Sequence, residues 1–119
     1  MERGEDLKRR TKAFSLAVIV FVDALPRDRV CDHIGRQLLR CGTSVGANYR
    51  AASRAKSNAD FIAKMGIVEE EADECGFWLE MLVDSGRVSE QVAAPIHREA
   101  GELLAITVQS IITARGKSR

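Results

Sequence analysis

The sequence predicts an all-α fold, an up-down-up-down antiparallel four-helix bundle that takes up residues 1–119 as one domain. Three observations predict it. Apolar residues recur three and four apart along almost the whole chain. Nowhere do β-branched or aromatic residues alternate with polar ones over the length of a strand. Pro26, Pro95 and Gly86 are the main punctuation, so the chain divides into four segments, and brief connections set successive helices antiparallel.

The first helix is expected from about Asp6 to Ala24, ending at Leu25-Pro26 because the residue before a proline is pushed out of helical geometry. Leu7, Phe14, Val18, Phe21, Val22 and Leu25 form its inner stripe, while Leu16, Ile19 and Val20 fall on the far side. A helix that is apolar nearly all round is expected to be covered on both faces, the second by something outside its own bundle. The second helix, about Asp28 to Arg54, turns Val30, Ile34, Leu38, Cys41, Val45, Asn48 and Ala52 to one side. Opposite them, within a sector of about 80°, lie Arg29, Arg36, Arg40, Arg50 and Arg54. Gly35, Gly42, Gly46 and Ser53 make a third strip, and each interior glycine costs about 1 kcal/mol relative to alanine, tolerable where another backbone comes close.

Ser57 and Asp60 give a capping start to the third helix, about Asn58 to Ser85, with Gly86 as its stop. Its buried stripe is Phe61, Met65, Val68, Ala72, Cys75, Leu79 and Val83; Ile62, Phe77 and Met81 fall outside it and suggest a subunit contact. Ser89 is the expected cap of the fourth helix, which turns Val92, Ile96, Ala100, Leu103, Leu104, Thr107 and Ile111 inward and frays at Arg115-Gly116. Pro95 is expected either to kink its second turn or to delay its start. The basic residues from Arg115 to Arg119 read as a solvated tail.

Eighteen Lys+Arg against seventeen Asp+Glu leave a formal charge of +1, so a preference for anions must come from arrangement rather than total. Cys31, Cys41 and Cys75 are odd in number and lack C-x-x-C spacing, which argues against a disulfide framework and against zinc and fits reduced thiols in a cytoplasmic protein. The apolar run Ala13 to Val22 follows basic residues as in a signal peptide. However, acids dilute the basic stretch, no small-x-small cleavage site follows, and the run is shorter than the ~20 residues that span a bilayer. No membrane role is expected.

Gly42-Thr43-Ser44-Val45-Gly46 spells G-x-S-x-G, the pattern of a nucleophile elbow, and His97 follows several aspartates in the chain order of a catalytic triad. An elbow needs a strand turning sharply into a helix. Here the helical period runs unbroken through Ser44, so no catalytic residue is assigned and no enzyme activity is expected. The acidic run Glu69 to Glu74 is tested against the di-iron bundle pattern, and neither His33 nor His97 has a glutamate three residues before it. No metal and no cofactor are expected. Asn48 reads as a buried amide bonded to a neighbouring helix, and Tyr49 and Trp78 as packing anchors at the edge of the bundle or at a subunit contact. The arginines carry the functional signal. Five guanidinium groups on one face repel one another unless phosphates of RNA or DNA, or the acidic side of the third helix on this chain or a neighbour, stand opposite.

The stretch from Gln37 to Arg50, followed by Ser57, Asp60-Phe61, Ile67, Glu71-Ala72-Asp73-Glu74 and Trp78-Leu79, resembles the bacterial four helix bundle protein family, first recognised as reading frames in intervening sequences of large-subunit ribosomal RNA genes. The likeness covers nearly the whole chain, with Arg50-Ala51 where many members have Glu-Gly. It implies a soluble homo-oligomer, a pentameric ring, with no established enzyme activity. A distantly similar group, the accessory variability proteins of diversity-generating retroelements, implies by fold-level analogy RNA or DNA and a reverse transcriptase as partners. A structural or protein-interaction module without nucleic acid is the alternative expectation.

Overall fold

The computed structural model describes residues 2–117, with side chains from Gly4 onward. Its elements are α1 (Glu2–Asp23), α2 (Arg29–Ser53), α3 (Asn58–Asp84) and α4 (Glu90–Lys117), and among the described residues there is no strand. Cross-helix pairs fix the direction of each helix. Ser15 meets Gly42 while Tyr49 reaches back to Gly4; Cys41 meets Cys75 while Ser44 meets Glu71; Glu80 meets His97 while Asn58 reaches Ala114. Each helix therefore runs against its predecessor, in a bundle of 49 × 22 × 19 Å.

Local chemistry sets most of the ends. Asp28 is extended and its carboxylate accepts from the Cys31 N–H at 2.8 Å, capping α2. Ser57 accepts from the Asp60 N–H at 3.0 Å, and Asp60 accepts in turn from the Lys56 N–H. α3 closes in a Schellman turn: Gly86 takes a φ of 79°, its N–H donates to Val83 O and the Arg87 N–H to Leu82 O. Ser89 accepts from the Val92 N–H at 3.2 Å and starts α4.

Three ends differ from expectation. α1 begins at Glu2 rather than near Asp6, where Tyr49 donates to Gly4 O at 3.3 Å and ties down the first turn. Of the two expectations at Pro95 the delayed start is overturned, since α4 already begins at Glu90; the carbonyl the proline deprives of a donor belongs to Gln91, an exposed residue open to water. α4 also continues through Arg115 and Gly116 to Lys117, and the tail residues Ser118 and Arg119 lie outside the described residues.

The core is the stripe set read from the sequence, with local exchanges. Phe14, Val18, Leu38, Val45, Met65, Val68, Leu79 and Leu103 are fully buried, and so is Leu82 where Val83 was expected. Val92, expected inward, is 62% exposed, while Thr11, outside the expected stripe of α1, is buried with its hydroxyl donating to Lys8 O. The glycine strip of α2 faces α1: a Cβ on Gly42 would sit 2.6 Å from Val18 Cγ1, and one on Gly46 2.6 Å from Ser15 Oγ. Ser53 departs from that strip, being exposed and bonded to Arg50 O in its own helix.

Consecutive helices pack along their lengths, while α1 and α4 touch sparsely. Arg10 ties that seam, donating to both carboxylate oxygens of Glu99 at 3.1 and 2.7 Å and to Glu102 at 3.0 Å. The outer face of α1 is bare, with Leu16, Ile19 and Val20 exposed, Val20 by 70%. Among the described residues no helix is long and apolar enough to cross a membrane.

Candidate nucleic-acid interface

All five arginines of the basic stripe, Arg29, Arg36, Arg40, Arg50 and Arg54, are exposed, but they do not share one environment. Arg40 leans to α3, where its two terminal nitrogens pair with Glu71 at 3.3 Å and with Glu74, and its Nε donates to Gln37. Glu74 is also held by the Trp78 indole N–H at 2.9 Å. This is the acidic side of the third helix answering the stripe within one chain. Arg36 lies beside Pro26 and Arg27 where the α1–α2 turn meets α2. Arg50 and Arg54 lean the other way, to α1, beside Lys8 and Lys12. Helical phase within one helix places these arginines on a common side; the groove each one enters depends on the packing of α1 and α3, which phase does not contain. For the same reason the phase of α2 does not show that Lys8 and Lys12 of α1 stand beside Arg50 and Arg54.

Ser44 sits inside α2, with no strand before it. Its hydroxyl donates to Glu71 Oε2 at 3.2 Å and accepts from Asn48 Nδ2 at 2.7 Å. His97 bonds Glu80 on α3 instead, at 2.9 Å, so the residues that share a triad's chain order do not meet. Asn48 corrects the expectation of a buried inter-helix amide. It is half-buried and donates to Ser44 of its own helix, so any effect on α3 passes through Ser44 and Glu71. Tyr49, read as an edge residue, is 5% exposed in the core. Trp78 stays at the edge, in edge-on contact with His33 and Phe77.

The cysteines are all buried and free. Cys75 donates to Cys41 across the α2–α3 contact, sulfur to sulfur at 3.2 Å. That bond, with burial, pushes the Cys75 thiol far above its ordinary range, the reverse of an activated nucleophile. Burial likewise pushes up Cys31, helped by the nearby Asp28. Among the described residues no three His, Cys, Asp or Glu side chains are grouped to hold a metal ion.

The profile of the 23S rRNA-intervening sequence protein family matches residues 5–109. The chain belongs to that family. The stretch Gln37 to Leu82, which carries the family likeness in the sequence, spans most of α2 and α3 in this family member. The 23S rRNA-intervening sequence bundle is also similar to a crystal structure of a protein of unknown function, from the S23 ribosomal protein family of Bacteroides thetaiotaomicron. The TM-score is 0.80 and the identity 28%, over 91% of this chain and 96% of that one. No curated protein matches the chain.

Proposed function

We propose that this member of the 23S rRNA-intervening sequence protein family is a non-catalytic, homo-oligomeric accessory protein that binds RNA or DNA through the basic face of α2. The observation that carries the reading is the cation set Arg29, Arg36, Arg50 and Arg54: all four are exposed and, among the described residues, none forms an ion pair with a carboxylate. Unanswered guanidinium groups on one rigid helix suit a polyphosphate backbone, which gains affinity by releasing counterions. The pentameric ring and a reverse transcriptase partner come from the family resemblance and its distant relatives. In a ring the basic faces would be multiplied by symmetry.

Fluorescence anisotropy with a labelled oligonucleotide, across a salt series, tests the reading. Binding is expected to weaken steeply with salt and to weaken further in R50Q. R40Q should change it little, since Glu71 and Glu74 already occupy that guanidinium. Absent or salt-independent binding by the intact protein would remove the reading. The pairing of Arg40 with α3 favours a second one, a structural or protein-interaction module in which charges close on each other. That module predicts altered assembly in R40Q and no nucleic-acid binding at all.

A further inference from the structure

α1 and α2 pack closely at Gly42 and Gly46, where Ser15 fills the gap: its hydroxyl lies 2.8 Å from Gly42 O and accepts from the Gly46 N–H at 3.2 Å. Beside this contact the two helices enclose a groove of about 440 Å³. Lys8 and Lys12 line it from α1, Arg50 from α2 and Arg54 from the residue that caps it, with Ser15 and Gly46 between them. No carboxylate lines it.

Many cations of this chain are answered by acids. Arg9, Arg10, Arg27, Arg40, Lys64 and Arg87 each pair with an aspartate or glutamate. Among the described residues, none of the four groove cations does. Lys8 and Lys12 stand one turn apart on α1, about 6 Å along the helix and projecting in nearly the same direction, and Arg54 caps α2 four residues after Arg50. Four like charges converging on one concave surface raise the local potential, and an anion with several charges is what neutralises it. Lysine and arginine together suit phosphate oxygens, the first as a point charge and the second as a fork of donors. With no aromatic side chain in the lining, the groove offers nothing to stack a base on.

We infer that the α1–α2 groove is the phosphate-binding site of this protein, seating consecutive phosphodiester groups of a nucleic-acid strand between Lys8 and Lys12 on one wall and Arg50 and Arg54 on the other. The inference rests on the nucleic-acid reading above and narrows it: two lysines of α1 enter the site, and Arg29, Arg36 and Arg40 lie outside it.

The test is anisotropy of a labelled 20-nucleotide polyuridine strand with the full chain over a salt series. The variants are K8Q/K12Q, R50Q/R54Q and R29Q/R36Q, each checked for helicity and oligomeric state. All six side chains are exposed, so folding should survive. Removing either wall is expected to weaken binding and to flatten the slope of log K against log salt by about 1.4, two single-strand phosphate contacts' worth. R29Q/R36Q should leave the slope unchanged, and K8R/K12R should retain binding. If R29Q/R36Q flattens the slope while K8Q/K12Q does not, the groove is wrong and the nucleic-acid reading stands. If the unmodified protein does not bind the strand even at low salt, both fall.

Discussion

Ser44 shows how much a side chain's chemistry depends on what stands across from it. A serine hydroxyl is a weak nucleophile until a base takes its proton. Here the partners are a carboxylate already shared with Arg40 and an amide that only donates, so Ser44 works as a joint between α2 and α3. The buried acids of the core have a measurable consequence as well. Cys31, Cys75 and Tyr49 are all held above their ordinary range, Tyr49 by burial and then by Glu5. The folded chain therefore keeps protons that the unfolded chain gives up. Their stabilisation is whole below the unfolded values and is lost as pH rises past them. Urea denaturation should thus show stability falling above about pH 8.5, where unfolded thiols ionise, with a shallower fall in C75S. A stability that stays level to pH 10 would contradict this account of the core.

At the scale of the helix, glycine separates two roles that look alike in sequence. Gly42 lies where α1 presses against α2, and an added Cβ would meet three Val18 atoms within 2.9 Å. Val18 is fully buried and β-branched, so it has little freedom to yield. Gly66 of α3 has nothing within 4 Å of an added Cβ. G42A should destabilise the fold by about 2 kcal/mol, overpacking outweighing the better helix former, while G66A should stabilise it by about 1 kcal/mol. Thermal or urea melts of the two variants side by side decide this. Equal effects would contradict a close α1–α2 seam at Gly42.

Over the whole molecule, the conspicuous feature is an apolar face with no cover. Leu16, Ile19 and Val20 project from α1 away from the core, beside the thin α1–α4 seam, where Ala17, Phe21 and Val92 line a further hollow. Apolar surface of this kind marks an interaction site more often than an idle one, and a second copy of the chain is the occupant the proposed oligomer supplies. V20E places a charge at the most exposed of the three and should lower the mass seen by native mass spectrometry without loss of helicity. An unchanged assembly would move the subunit contact elsewhere, Phe77 on α3 being another exposed apolar residue to test.

The four helices were legible because their signals are local. The serine caps at 57 and 89, the Leu25-Pro26 turn and the stop at Gly86 each act within one or two turns of chain, and apolar spacing picks out the inward face of a helix from its period alone. The exclusion of a nucleophile elbow at Ser44 followed from the same continuity. What a single helix's phase does not carry is its neighbour. Packing decided that Arg40 turns to Glu71 and Glu74 while Arg50 and Arg54 join Lys8 and Lys12, that Asn48 bonds within its own helix, that Thr11 and Tyr49 are buried, and that Val92 is not. Periodicity determines which side of a rod is apolar; the partner each polar side chain finds is set by distances between rods, and those exist only once the bundle has closed.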